Sequence, residues 1–176
     1  MRKVSGLLVA ASLLVPATFI AAQPAGAATT PTCSTLTGTA KFTPPVPKAP
    51  AKAKSNIQLD AVFSKCTGVA GLTSGKVHLP LYHGTTPGNC STLVAKPTKI
   101  TVPKGGTIKW NKGPASTLGA VTVTPAGLAL YKAVSKITAG QFKGKTVTET
   151  AQFTPNGCPI KSAKLSLKKG TKITVK

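Results

Sequence analysis

The sequence predicts an all-β protein, because apolar and polar residues alternate along most of the chain and turn residues separate the alternating segments. Alternation with a period of two is typical of strands that bury one face. Turns rich in glycine or proline lie between these segments. We expect about eight or nine antiparallel strands in a β-sandwich, for which an immunoglobulin-like topology is one arrangement, with a closed antiparallel β-barrel as the alternative. The clearest alternating segments are 57–63, 77–82, 100–110, 121–124, 147–153, 163–167 and 173–175.

Two short glycine-containing segments predict tight hairpins. Folding 163–167 back onto 173–175 around 168–170 (Lys-Lys-Gly) sets apolar residues opposite apolar residues. The segment 100–110 does the same around 104–106 (Lys-Gly-Gly). Each loop ends in the glycine that a type I turn followed by a bulge requires at its positive-φ position.

Residues 1–27 are expected to be a secretory signal peptide, followed by a single domain over 28–176. Arg2 and Lys3 precede an apolar run, and 25–27 (Ala-Gly-Ala) supplies the small residues that signal peptidase requires. Pro16 interrupts the run, which disfavours a retained membrane anchor, and no later segment is apolar enough to span a membrane. The protein is therefore expected outside the cytoplasm, either extracellular or associated with the cell envelope.

Four cysteines predict two disulfides, as is usual for exported proteins. Three pairings are formally open. The pairing Cys33–Cys66 and Cys90–Cys158 is favoured, because Cys33 begins the first strand and Cys66 follows the second, so an antiparallel hairpin brings them together. No CxxC spacing is present and export favours oxidised cysteines, so a zinc site is not expected. No cofactor or other metal is assigned from the sequence.

The lysine excess restricts the classes of partner. The 176-residue chain has a formal net charge of +21, and removal of the leader leaves lysines as its only strongly basic residues. Anionic envelope polymers or an anionic lipid surface suit such a charge. The absence of arginine from the mature chain disfavours sequence-specific recognition of nucleic acid. The candidate anion-binding residues form the C-terminal lysine cluster: Lys161, Lys164, Lys168, Lys169, Lys172 and Lys176.

Scarcity of carboxylates argues against catalysis. Asp60 and Glu149 are the only acidic side chains, and no G-x-S-x-G motif presents a nucleophilic serine. No catalytic residue is therefore assigned. Glu149 shares strand parity with Val147, Ala151 and Phe153, which leaves two interpretations. Either a strand end or bulge turns it outward onto a lysine, or it is a partly buried carboxylate that marks a pocket.

A resemblance to a known family rests on three short motifs: Cys66-Thr67-Gly68, 73–77 (Thr-Ser-Gly-Lys-Val) and 106–111 (Gly-Thr-Ile-Lys-Trp-Asn). Over roughly Cys33 to Cys158 the chain resembles a family of small secreted actinobacterial proteins with four cysteines and no assigned activity. The resemblance implies an exported β-sandwich-like domain and no catalytic residue. The lysine content departs from that family, whose members are richer in glycine, serine and threonine.

The function expected from the sequence is non-catalytic. The leading hypothesis is electrostatic association with anionic cell-envelope or extracellular polymers. A structural or adhesion-type module that binds a specific partner through loops 44–56 and 83–98 is the alternative. A hydrolase that uses Glu149 is the third and least favoured hypothesis.

Overall fold

The computed structural model describes residues 29–84, 88–94, 99–103 and 105–176. Its fold begins with a long antiparallel hairpin of β1 (Thr32–Val46) and β2 (Asn56–Thr67). The predicted signal peptide and parts of the 83–98 loop lie outside these residues. The hairpin register sets Cys33 directly opposite Cys66, and the two are disulfide-bonded. Cys90 is bonded to Cys158. The favoured disulfide pairing is therefore confirmed.

The other strands confirm the all-β class. Each buries alternate residues, as a strand with one face toward a core requires. The described chain contains ten strands, slightly more than expected, and one helical turn. The remaining elements are β3 (Ser74–Tyr82), α1 (Cys90–Val94), β4 (Ile100–Val102), β5 (Thr107–Trp110), β6 (Ser116–Gly127), β7 (Leu130–Gly140), β8 (Thr146–Pro155), β9 (Ile160–Leu167) and β10 (Ile173–Val175).

A closed barrel, the alternative architecture, is the one that the chain adopts. Strands β1, β2, β3, β5, β6, β7, β8 and β9 pair in this order, all antiparallel, and β9 returns to pair with β1. The closing register sets Ala163 opposite Ala40. One sheet thus wraps around one interior, whereas the favoured β-sandwich needs two facing sheets. Alternation along a strand is the same in both architectures, so it could not distinguish them.

Both predicted hairpins are wrong. In each case the two segments do not fold back onto each other; they run one after the other, in the same direction, along the same neighbouring strands. At the C-terminus, β9 and β10 both pair with β1 and β8. Leu165 lies opposite Gly38 and Ile173 opposite Cys33, so β10 extends the course of β9 after an excursion over 168–172.

The same arrangement recurs at β4 and β5. Val102 pairs with Val121, and Ile108 pairs with Ser116, so both strands run along β6. Gly106 is required here by a close approach rather than by a turn, since a Cβ at this position would lie 1.7 Å from the carbonyl oxygen of His78. Alternation determines which face a residue takes but not whether the chain reverses after a glycine.

Aromatic packing fills one end of the barrel interior. Trp110 and Phe142 meet edge to face with ring centroids 5.4 Å apart. The Trp110 indole Nε1 donates to Ser116 Oγ at 2.8 Å, and Ser116 Oγ donates in turn to the carbonyl oxygen of Gln141. This end belongs to the larger of two core clusters, which extends through Phe63 and Ile108.

Helix α1 covers the opposite end. Leu93 packs against the second core cluster, which contains Phe42 and Phe153, and the Tyr131 hydroxyl donates to the carbonyl oxygen of Leu93. The disulfide from Cys90 attaches α1 to the chain between β8 and β9. No helix among the described residues is long and apolar enough to cross a membrane.

Candidate functional site

A cavity of about 160 Å³ lies between the two filled ends of the barrel. Its walls are almost entirely aliphatic and aromatic side chains from strands around the whole barrel. An eight-stranded barrel has an interior just wide enough to be filled by side chains or to hold one small ligand. Here the packing leaves a space. Representative wall residues are Leu36, Phe63, Ile108, Leu118, Val121 and Phe153.

Glu149 lines this apolar cavity. It lies on β8 between the buried residues Val147 and Ala151 and pairs across the sheet with Ala133 of β7. Its Oε2 atom is buried and has no hydrogen-bond partner among the residues that the structure describes. Part of the residue's surface remains accessible, because the residue lines an open space. Of the two interpretations of Glu149, the structure supports the buried carboxylate that marks a pocket.

Burial has an electrostatic consequence for this group. Removal from water disfavours the charged form of an acid, and here it raises the pKa of Glu149 from 4.5 to about 7. The ion pair found among the described residues lies elsewhere: His78 Nδ1 and Asp60 Oδ1 are 2.6 Å apart on the exposed face of β2 and β3. Within the described part of the chain, Glu149 therefore has no neighbouring cation to compensate its charge.

Two of the hydroxyl groups that line the cavity, those of Ser135 and Tyr131, are engaged with backbone. Ser135 Oγ donates to the carbonyl oxygen of Gly119 at 3.2 Å, and the Tyr131 hydroxyl donates to the carbonyl oxygen of Leu93 in α1. Burial also raises the pKa of Tyr131 to about 12, so this phenol stays neutral over the physiological range. Asp60 faces outward and cannot share a site with Glu149. The arrangement suits binding better than acid–base or nucleophilic chemistry.

An unpaired seam in the barrel wall borders the cavity. β3 pairs with β5 only through residues 75–78, and β4 pairs with β6. Among the described residues, the end of β3 and β4 share no backbone pairing. Residues on both sides of this seam line the cavity: Leu79, Pro80 and Tyr82 on β3, and Ile100 and Val102 on β4. The seam is thus a part of the cavity wall that lacks backbone hydrogen bonds between its two described strands.

The six residues of the C-terminal lysine cluster are all exposed. Lys168, Lys169 and Lys172 lie on the 168–172 excursion rather than on a hairpin, while Lys164 lies on β9. The described lysines take no part in lining the cavity. The cluster and Glu149 are thus two separate features, one on the outer surface and one inside.

Sequence reasoning did not find α1 or the seam, and it gave a pocket only as one of the two interpretations of Glu149. The parity of Glu149 was the one signal of the cavity, because it placed a carboxylate on a face that is otherwise apolar. No group of three or more metal-ligating side chains occurs within the ranges that the structure describes. The two histidines have different partners: His83 Nδ1 lies 3.0 Å from Asn56 Oδ1, whereas His78 Nδ1 pairs with Asp60.

Comparison with protein-family models, with curated proteins and with solved structures finds no match for this chain.

Proposed function

We propose that this protein is a secreted, non-catalytic binding protein that carries one small, largely apolar molecule inside its barrel. The supporting space is the cavity of about 160 Å³. A dry apolar cavity of about 150 Å³ in another protein accommodates benzene, so this space suits a molecule built on one ring. Secretion accords with the two disulfides and with the predicted leader.

The observation that carries the proposal is the buried Oε2 atom of Glu149 in the apolar wall, which has no hydrogen-bond partner among the described residues. An unsatisfied buried polar group costs roughly 1–3 kcal/mol, and more when it is charged. A core that served stability alone would be better filled by an aliphatic side chain at this position. A cavity that keeps both empty space and a polar group is typical of ligand sites, which combine apolar walls with a few orienting polar atoms.

The test is titration of the folded protein, residues 28–176, with toluene, followed by amide chemical shifts in NMR. Saturable shifts confined to cavity-lining residues are expected. The variant Ala133→Leu fills space beside Glu149, and we expect it to abolish these shifts. Ala120→Leu adds the same volume at an exposed position of β6 and serves as the matched control. Absence of saturable shifts in the folded wild type, or unchanged binding in Ala133→Leu, contradicts the proposal.

A second candidate function is electrostatic association with anionic envelope polymers through the C-terminal lysine cluster. The observation that favours it is the exposure of all six lysines on β9, on the 168–172 excursion and at the position after β10. Exposed ammonium groups attract polyanions by a screened interaction that weakens steeply with salt. The two candidates are compatible, because the cluster and the cavity use different surfaces of the wall.

Retention of the protein on a column of immobilised polyphosphate tests this second function. Retention is expected to fall between about 50 and about 200 mM salt. Exchange of Lys164, Lys168 and Lys172 for glutamine should shift elution to lower salt than the same exchange at Lys109, Lys132 and Lys136, which are also exposed. Equal shifts for the two triple variants mean that net charge alone, and not this cluster, governs retention.

A further inference from the structure

We propose that the molecule held in the barrel carries an amine, and that its ammonium group pairs with the Glu149 carboxylate inside the cavity. This inference rests on the proposed function and specifies its ligand class. The cavity size limits the molecule to about one ring with a short aminoalkyl arm. The ring would occupy the apolar space, and the arm would reach the wall of β8.

The first argument is the missing counter-charge. The chain has a formal net charge of +21, yet the described residues that line the cavity include no lysine. No described residue donates a hydrogen bond to Oε2 of Glu149. A ligand ammonium supplies both the hydrogen-bond donor and the positive charge that the described cavity wall lacks. In a poorly hydrated cavity the attraction between the two charges is screened much less than at the surface.

The second argument compares the other ligand classes. A carboxylate or phosphate ligand would place a second negative group beside Glu149, which is unfavourable unless one of the two is protonated. A hydrocarbon fills the space but leaves the carboxyl without a partner. A neutral alcohol donates a hydrogen bond but brings no charge. An amine is the simplest group that satisfies both requirements.

The third argument concerns access. The seam between Leu79–Tyr82 of β3 and Ile100–Val102 of β4 is bordered by cavity-lining residues on each side. The seam has mainly apolar walls, and neither strand contributes an acidic residue to it. An amine that enters between these two strands would therefore meet no competing carboxylate on them. The first carboxylate that the amine would reach inside the cavity is that of Glu149.

The titratable groups that surround Glu149 define the pH dependence. Inside the cavity these are Tyr82 on β3 and Tyr131 on β7. The lysines of the strands packed against β8 are exposed on the outer surface, namely Lys132 and Lys136 of β7, Lys161 and Lys164 of β9 and Lys176 after β10. α1 has no ionisable side chain that titrates, since Cys90 is disulfide-bonded. The carboxyl of Glu149 is thus the cavity group that titrates near neutral pH.

Proton balance gives opposite pH trends for amines and hydrocarbons. Below the pKa of Glu149, about 7, an incoming ammonium ion must displace the carboxyl proton to water, which weakens its binding as the pH falls. Between this pKa and that of the amine, the ion pair forms without proton exchange. A hydrocarbon prefers the protonated, uncharged cavity, so its binding weakens as the pH rises through the same range.

The experiment titrates wild type with benzylamine, benzyl alcohol, toluene and benzoate by NMR from about pH 5 to about pH 8. Benzylamine affinity is expected to rise up to tenfold per pH unit below about pH 7 and then to level off. Toluene affinity should fall as the pH rises through the same range, and at about pH 8 benzoate should bind most weakly of the four. In Glu149→Gln the benzylamine trend should disappear while toluene binding remains.

The outcomes separate the two proposals. If toluene binds but benzylamine shows no advantage at about pH 8, the amine inference is overturned and the cavity function stands. If neither binds, the proposed function itself fails. Should Glu149→Gln not fold, the opposite pH trends of benzylamine and toluene in wild type still settle the question. A benzylamine trend that survives in folded Glu149→Gln assigns the titration to another group and also overturns the inference.

Discussion

Ala133 on β7 and Glu149 on β8 are direct cross-strand partners, and both line the interior cavity. The carboxyl therefore emerges from the wall beside a methyl group rather than beside a polar or cationic side chain. The small partner leaves room for the longer glutamate side chain and for adjoining space. This pairing connects the barrel register with the electrostatic state of the interior.

The stability of the protein is expected to depend on the protonation of Glu149. Its pKa in the folded protein, about 7, is above its ordinary value of 4.5, so the folded state binds more protons than the unfolded state between these two pH values. The free energy of unfolding should therefore fall as the pH rises, by about 3 kcal/mol in total, and level off above the folded-state pKa. Urea denaturation at a series of pH values measures this change.

Glu149→Gln provides the reference for that prediction. Other titrating groups contribute equally to both proteins, so the difference between the two pH profiles isolates Glu149. Parallel profiles would show that the carboxyl has the same pKa in the folded and unfolded chains.

Removal of the Cys90–Cys158 disulfide should loosen α1 from the end of the barrel. The variant with both Cys90 and Cys158 changed to alanine is expected to lose roughly 4 kcal/mol in the free energy of unfolding, given a loop of 68 residues. Amide exchange should accelerate over α1 and change little at the β1–β2 hairpin. The matched variant of Cys33 and Cys66 should show a comparable loss of stability with α1 still protected. Unchanged exchange over α1 in the first variant contradicts its attachment by this disulfide.

Ser116 is expected to be essential to the packing of the single tryptophan. Its hydroxyl accepts from Trp110 Nε1 at 2.8 Å and donates to the carbonyl oxygen of Gln141. Ser116→Ala leaves both groups without this partner in a buried environment, at an expected cost of about 1–3 kcal/mol. Thr117→Ala, at the exposed neighbour, should cost much less. Tryptophan fluorescence during denaturation reports both values, and equal costs would contradict the network.

Gly106 and Gly170 should respond differently to alanine. A Cβ at Gly106 would lie 1.7 Å from the His78 carbonyl oxygen, whereas at Gly170 nothing lies within 4 Å and φ is +79°. Gly170→Ala should therefore cost only the strain of the left-handed conformation, about 1 kcal/mol. Gly106→Ala should force strands β3 and β5 apart and destabilise the protein by several times that amount, in the range of about 3 kcal/mol or more. Similar costs would mean that Gly106 lies in an open turn.

Particular residues show what the sequence could predict. Cys33 and Cys66 lie near the ends of two alternating segments, so their disulfide followed from hairpin geometry, and the parity of Glu149 placed it on the apolar face. The direction of the chain after Gly106 and after Gly170 did not follow, because Ile108 and Ile173 face inward whether the chain reverses or continues. Local alternation also contains no information on barrel closure, which depends on the long-range pairing of Ala40 with Ala163.

The cavity was beyond sequence reasoning for a related reason. Its volume is the difference between the space that eight strands enclose and the side chains that fill it, and small changes in either alter the result. α1 escaped prediction because a helix of five residues has no periodic pattern to recognise. Its position over the barrel end depends on contacts of Leu93 that are distant in the sequence.

The most direct test of this account is the pH titration of the Glu149 side-chain carboxyl, followed by carbon-13 NMR in the folded protein. Only Asp60 and Glu149 carry side-chain carboxyl groups, so the two signals can be assigned with Glu149→Gln. We predict that the Glu149 signal titrates with a pKa of about 7 in the free protein and at lower pH when benzylamine is bound. A pKa near the ordinary 4.5 in the free protein contradicts a carboxyl enclosed in an apolar interior.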